Sequence, residues 1–168
     1  MRHRIVVVAP TMVDVIRFAG GWLFDRAMAG WDVTAVVTDH TDARPLHIIG
    51  ARAVDLEAAM ATTVRSPLPQ SIAVDVDLYS SDRRVRNGVL EVLDRGKAGE
   101  VTLWGEGCPK ELDYRVGAVE HRLSVAARAF KAQALRAAAA PAEVVGATEM
   151  FRSCELLHGL SPDLVPAG

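Results

Sequence analysis

The sequence predicts an α/β protein: a three-layer, Rossmann-like doubly wound sheet of about five mainly parallel strands, followed by a long C-terminal helix. Three observations predict it. Short apolar runs rich in Val and Ile recur along the 168 residues. Stretches of helical periodicity alternate with them. The first two runs flank a helix of the length a right-handed βαβ crossover needs. No repeat or long linker divides the chain, so one domain over 1–160 is expected, with a flexible tail over 161–168.

Ile5 to Ala9 is a continuous β-branched run, as in a strand buried on both faces. Thr11 and Asp14 form a T-x-x-D capping pattern that opens a helix, which ends near Gly30. Gly20 and Gly21 lie inside that helix at an intrinsic cost, which implies a close approach of helix to sheet. Val33 to Val37 reads as the second strand and Leu46 to Ala51 as a short third. A short helix over Val54 to Ala61 and a proline-rich loop over Ser66 to Gln70 precede a fourth strand in Ser71 to Val76. Asp82 caps the next helix, and Val101 to Gly105 is the fifth strand. From Leu112 to Ala140, Val116, Val119, Leu123, Ala126, Ala127, Phe130 and Ala134 form one apolar stripe, so a long helix is expected there, ended by Pro141. A last helix is expected over Ala147 to His158.

The expected sheet places strand one centrally, with strands two and three on one side and four and five on the other. Ligands of such sheets bind beyond the carboxyl ends of the strands, at the switch point between the first and the fourth. That rule gathers Thr11, Asp14, Asp39, His40, Asp77, Asp82 and Arg83 as ligand-binding candidates, beside Asp75, Glu106 and Cys108. Each also has a structural reading: Thr11 and Asp14 as a capping box, Asp82 as a helix cap, His40 as a loop residue. Arg83, Arg84 and Arg86 crowd a helix N-terminus, an awkward place for positive charge that suggests a bound anion. Cys108, ahead of Pro109 at an expected helix start, is placed for a lowered thiol pKa.

Composition excludes several classes. A net charge of −2 gives no drive toward nucleic acid or an anionic membrane. No apolar run is long enough to span a bilayer, and the N-terminal run is too short for a signal-peptide core, so a cytoplasmic protein is expected. Two distant cysteines suggest neither a disulfide framework nor a zinc site. The first turn, APTMVD, lacks G-x-G-x-x-G and the P-loop, so no nucleotide cofactor is expected.

APTMVDVIRFAGG matches in spacing the A-P-H-P-D-D-E-x-x-x-x-G-G opening of the LmbE/PIG-L family of zinc-dependent N-acetylglucosaminyl deacetylases, and AGWDVTAVVTDH resembles the strand that follows it. The similarity covers about the first forty residues; SSDRRVRNGV aligns more loosely with H-P-D-H-R-x-V. The resemblance implies a zinc deacetylase fold with its motif degenerate. The first zinc-binding His falls on Thr11, the general-base Asp on Val13, the following Glu on Val15 and the late ligand His on Arg83. Only Asp14 matches a ligand, and a catalytic zinc needs about three.

The leading expectation is therefore a binder of a small polar or anionic metabolite, without metal, with catalysis left open. The alternatives are a hydrolase or deacetylase acting on a sugar amide, and a structural homo-oligomer using the helix over 112–140.

Overall fold

The computed structural model describes residues 2–61, 68–96, 98–140, 144–155 and 162–167. β1 (Arg4–Val8) leads into α1 (Met12–Met28), β2 (Asp32–Val37), α2 (Arg44–Ile48), β3 (Ala51–Asp55) and α3 (Leu56–Ala61). Then come β4 (Ser71–Asp75), α4 (Val76–Ser81), α5 (Arg83–Arg95), β5 (Glu100–Trp104), β6 (Gly117–Arg122), α6 (Val125–Ala137), β7 (Thr148–Glu155) and β8 (Val165–Pro166). These strands form one sheet in the order β3-β2-β1-β4-β5-β7-β6-β8. The first five pair in parallel, in the order expected, with β1 central. The last three are antiparallel. The sheet is thus mixed rather than mainly parallel.

Alternate residues of the buried strands face two cores. Ile5 and Val7 join Val15, Trp22, Leu23, Leu46 and Leu135 beneath α1, α2 and α6. Val8, Val74 and Leu103 join Leu56, Tyr79, Val85 and Val89 beneath α3, α4 and α5. Helices covering both faces explain why the strands read as unbroken apolar runs.

Four expected elements differ. Pro45 pre-sets the first turn of α2, so residues 44–48 are helical and the third strand begins only at Ala51. The loop expected after β4 holds the short helix α4, capped by Asp75. The long helix over 112–140 is two elements: the largely exposed strand β6, between β7 and the two-residue β8, then α6, which Ser124 caps by accepting a hydrogen bond from the Ala127 N–H. With the helix split, the basis for self-association through it is gone. Residues 148–155 form β7 instead of a helix, the central partner of both β5 and β6. Pro141, expected to end the long helix, and residues 156–158 of the last one lie outside the described residues, as do Ser66 and Pro67 of the loop.

Three ion clusters tie the C-terminal half to α1. Arg26, 2% exposed, lies between the rings of Trp22 and Trp31 and donates to Glu100, Ser71 and Asp163. His121, expected in a helix, stands in β6 and bonds Asp25 at 2.7 Å and the Asp163 carbonyl at 2.9 Å. Lys131 donates to Glu149, which also accepts the N–H groups of Gly21 and Trp22. Gly21 is required there: a Cβ would lie 2.2 Å from a Leu123 methyl. The close approach is therefore to the Leu123 side chain, which belongs to the same core.

Candidate functional site

β1 hands the chain to α1 on one face of the sheet, and β4 hands it to α4 and α5 on the other. The crevice between them gathers side chains from three turns. Thr11 is the N-cap of α1: its Oγ accepts from the Asp14 N–H at 3.2 Å and donates to Asp14 Oδ2 at 2.9 Å. Asp14 also faces Arg17 at 3.7 Å. Asp39, arriving after β2, accepts the Met12 N–H at 2.9 Å, and the Thr38 hydroxyl donates to the Pro10 carbonyl. Two aspartates thus meet the positive end of the α1 dipole.

Asp75 ends β4 and is 6% exposed. Its Oδ1 accepts the Leu78 N–H at 2.9 Å, which caps α4. Burial raises its pKa above the ordinary aspartate value, and the charges of Asp77 and Asp14 add to the rise. Asp77 is exposed at the first turn of α4.

The other candidates lie elsewhere or are occupied. His40 is exposed, with Nδ1 3.3 Å from the Thr38 carbonyl and 3.3 Å from Asp55 at the end of β3. Asp82 caps α5 and binds Arg84, whose hydrogen bond holds the Asp82 pKa down. Arg84 in turn makes two bonds to Glu57, and Arg86 donates to Glu111, which also accepts from Tyr79. Only Arg83, exposed on α5, is left of the basic group, so these charges are met largely within the protein. The Cys108 thiol is pushed up by burial, not down, since a turn rather than a helix follows it. Asp75 could be seen in the sequence only as one of several strand-end aspartates; its burial could not.

The residues at the turn do not suit the zinc that the resemblance implies. Thr11 and Asp14 bond each other and the helix end, Val13 can accept no proton, and Arg83 is a cation. Among the described residues no group of three or more His, Cys, Asp or Glu could hold a metal ion.

No family model matches the chain, and no curated protein matches it. Solved structures do. The A40926 pseudoaglycone deacetylase Dbv21 matches with a TM-score of 0.61 at 15% identity, over 93% of this chain and 99% of that one. A triple mutant of the deacetylase Orf2* from the teicoplanin biosynthetic pathway matches with a TM-score of 0.59 at 11% identity, over 98% of each chain. A deacetylase in complex with teicoplanin matches with a TM-score of 0.54 at 14% identity, over 90% and 98%. These matches correct the leading expectation of a small-metabolite binder and favour the deacetylase alternative. At such low identity they show architecture only: the chain has the fold of the teicoplanin and A40926 pseudoaglycone deacetylases.

Proposed function

We propose that the protein is an amide hydrolase of the deacetylase type, acting on an acylated amino group of a sugar. The observation that carries this reading is the fold shared with deacetylases over nearly the whole of both chains. Its own crevice supplies carboxyls rather than a metal-ligand set. Hydrolysis adds water across the amide, breaks the C–N bond, and releases a carboxylic acid and an amine. Asp75 is suited to move the proton, because a carboxyl with a raised pKa exchanges protons closer to neutral pH than a solvated one. It would take a proton from the attacking water and return it to the departing nitrogen. Asp14 and Asp39, fixed at the end of α1, would orient sugar hydroxyls.

The test is mass-spectrometric detection of free amine and acid from N-acetylglucosamine and from acylated glycopeptide sugars, with and without added divalent metal. Asp75→Asn keeps the helix cap, since Asn caps as well as Asp, and removes the proton carrier. A loss of about 10²-fold or more in turnover, at unchanged melting temperature, is expected. No amine release from any of these substrates, under either metal condition, overturns the reading.

A further inference from the structure

A cavity of about 220 Å³ lies at the carboxyl end of β5. Val76, Leu103, Ala118 and Met150 give it apolar walls, and among the described residues Arg152 of β7 is the charged residue on its lining. Arg152 pairs in register with Leu103 on one side and Ala118 on the other, so the three share one face of the sheet. Asp75 pairs with Trp104, so it faces the other way, and it does not line the cavity. Met150 is 54% exposed and Ala118 is exposed as well, whereas Leu103 is fully buried. The lining thus runs from solvent to the core.

Arg152 is partly buried, and among the described residues no hydrogen bond or ion pair meets its side chain. The two most buried cations behave otherwise: Arg26 holds Glu100 at 2.8 Å and Lys131 holds Glu149 at 2.6 Å. Even the exposed Arg44, Arg84 and Arg86 each hold a carboxylate. A guanidinium is a rigid fork of donors that fits a carboxylate through two parallel bonds, and the bonds strengthen where apolar walls displace water. A single fork suits a monoanion, and apolar walls suit a hydrocarbon body. A dry apolar cavity of about 150 Å³ takes up benzene, so this one has room for a body of about five to six carbons beside the carboxylate.

We infer that this cavity binds a small monocarboxylate with an apolar body, the carboxylate held by the Arg152 guanidinium and the body lying against Val76, Leu103 and Met150. Such a site goes beyond the hydrolase reading and does not depend on it, since Asp75 takes no part.

Calorimetric titration of the full chain with hexanoate, hexanamide and acetate provides the test. Hexanamide keeps the shape of hexanoate without its charge, and acetate keeps the charge without the body. Hexanoate should bind about tenfold more tightly than either. Arg152→Gln should bring hexanoate down to the level of hexanamide. Ala118→Glu should do the same, because it sets a carboxylate beside Arg152 at an exposed position outside the core. Asp75→Asn should leave hexanoate binding unchanged. Equal affinity for hexanoate and hexanamide, acetate binding as tight as hexanoate, or no binding of hexanoate would overturn the site. So would a preference that survives both the Arg152 and the Ala118 substitutions, or hexanoate binding that is lost in Asp75→Asn.

Discussion

Trp104 carries a tension that its neighbours do not resolve. It is 2% exposed, and its indole Nε1 is the buried side-chain polar atom among the described residues that has no hydrogen-bond partner. An unmet buried donor costs about 1–3 kcal/mol. Trp104→Phe removes that donor while keeping most of the ring, so denaturant unfolding should show stability unchanged or raised. Trp104→Ala, by contrast, should cost about 3–5 kcal/mol through the cavity it leaves. At this scale the sequence was legible where a signal is local. The Thr11–Asp14 cap stands three residues apart and forms as read. Arg26, Asp75 and Lys131 were illegible because their burial depends on partners 18 to 137 positions away, or on a strand end whose letters also spell an exposed cap.

Among the elements, the parallel half of the sheet followed from β-branched runs and helix caps, and the antiparallel half did not. The misreading has a physical origin in β6. Its residues Gly117 to Arg122 mix charged and small side chains, because much of this strand, covered on one side only by the two-residue β8, meets solvent, and Val119 and Leu123 also fall at helical spacing. Ser124 is the stop that separates strand from helix, and a lone Ser is a weak signal until its Ala127 bond is seen. The α1 to α6 packing gives a prediction at this scale. Gly21→Ala forces Leu123 out of its rotamer and pushes α1 from Glu149, so a loss of about 1–3 kcal/mol is expected in thermal or denaturant unfolding. Combined with Leu123→Ala, the two losses should be less than additive in a double-mutant cycle, because the clash is with the Leu123 side chain.

The whole molecule is closed by Asp163. Its carboxylate accepts from Arg26 and from the Trp22 Nε1, and β8 pairs with β6 just beyond it. Burial opposes ionisation of Asp163, but the hydrogen bond and charge of Arg26 outweigh it and hold its pKa below the ordinary aspartate value. A carboxyl depressed on folding stabilises the protein above its unfolded pKa of about 4, and the contribution is lost as pH falls through the lower folded value. Melting temperatures of the wild type and Asp163→Asn should therefore differ at pH 6 and converge as pH drops below about 4. A constant gap across that range would show that Asp163 acts through packing alone.

The same clusters set an order on folding. Residue 26 must wait for residue 163, and the N–H groups of Gly21 and Trp22 for residue 149. The opening βαβ unit, complete by residue 37, thus carries a guanidinium and two amide donors whose partners are not yet synthesised. It cannot settle as an independent folding unit, and contacts of such sequence separation make for slow, late closure. The helix that forms first in the chain is among the last to find its place.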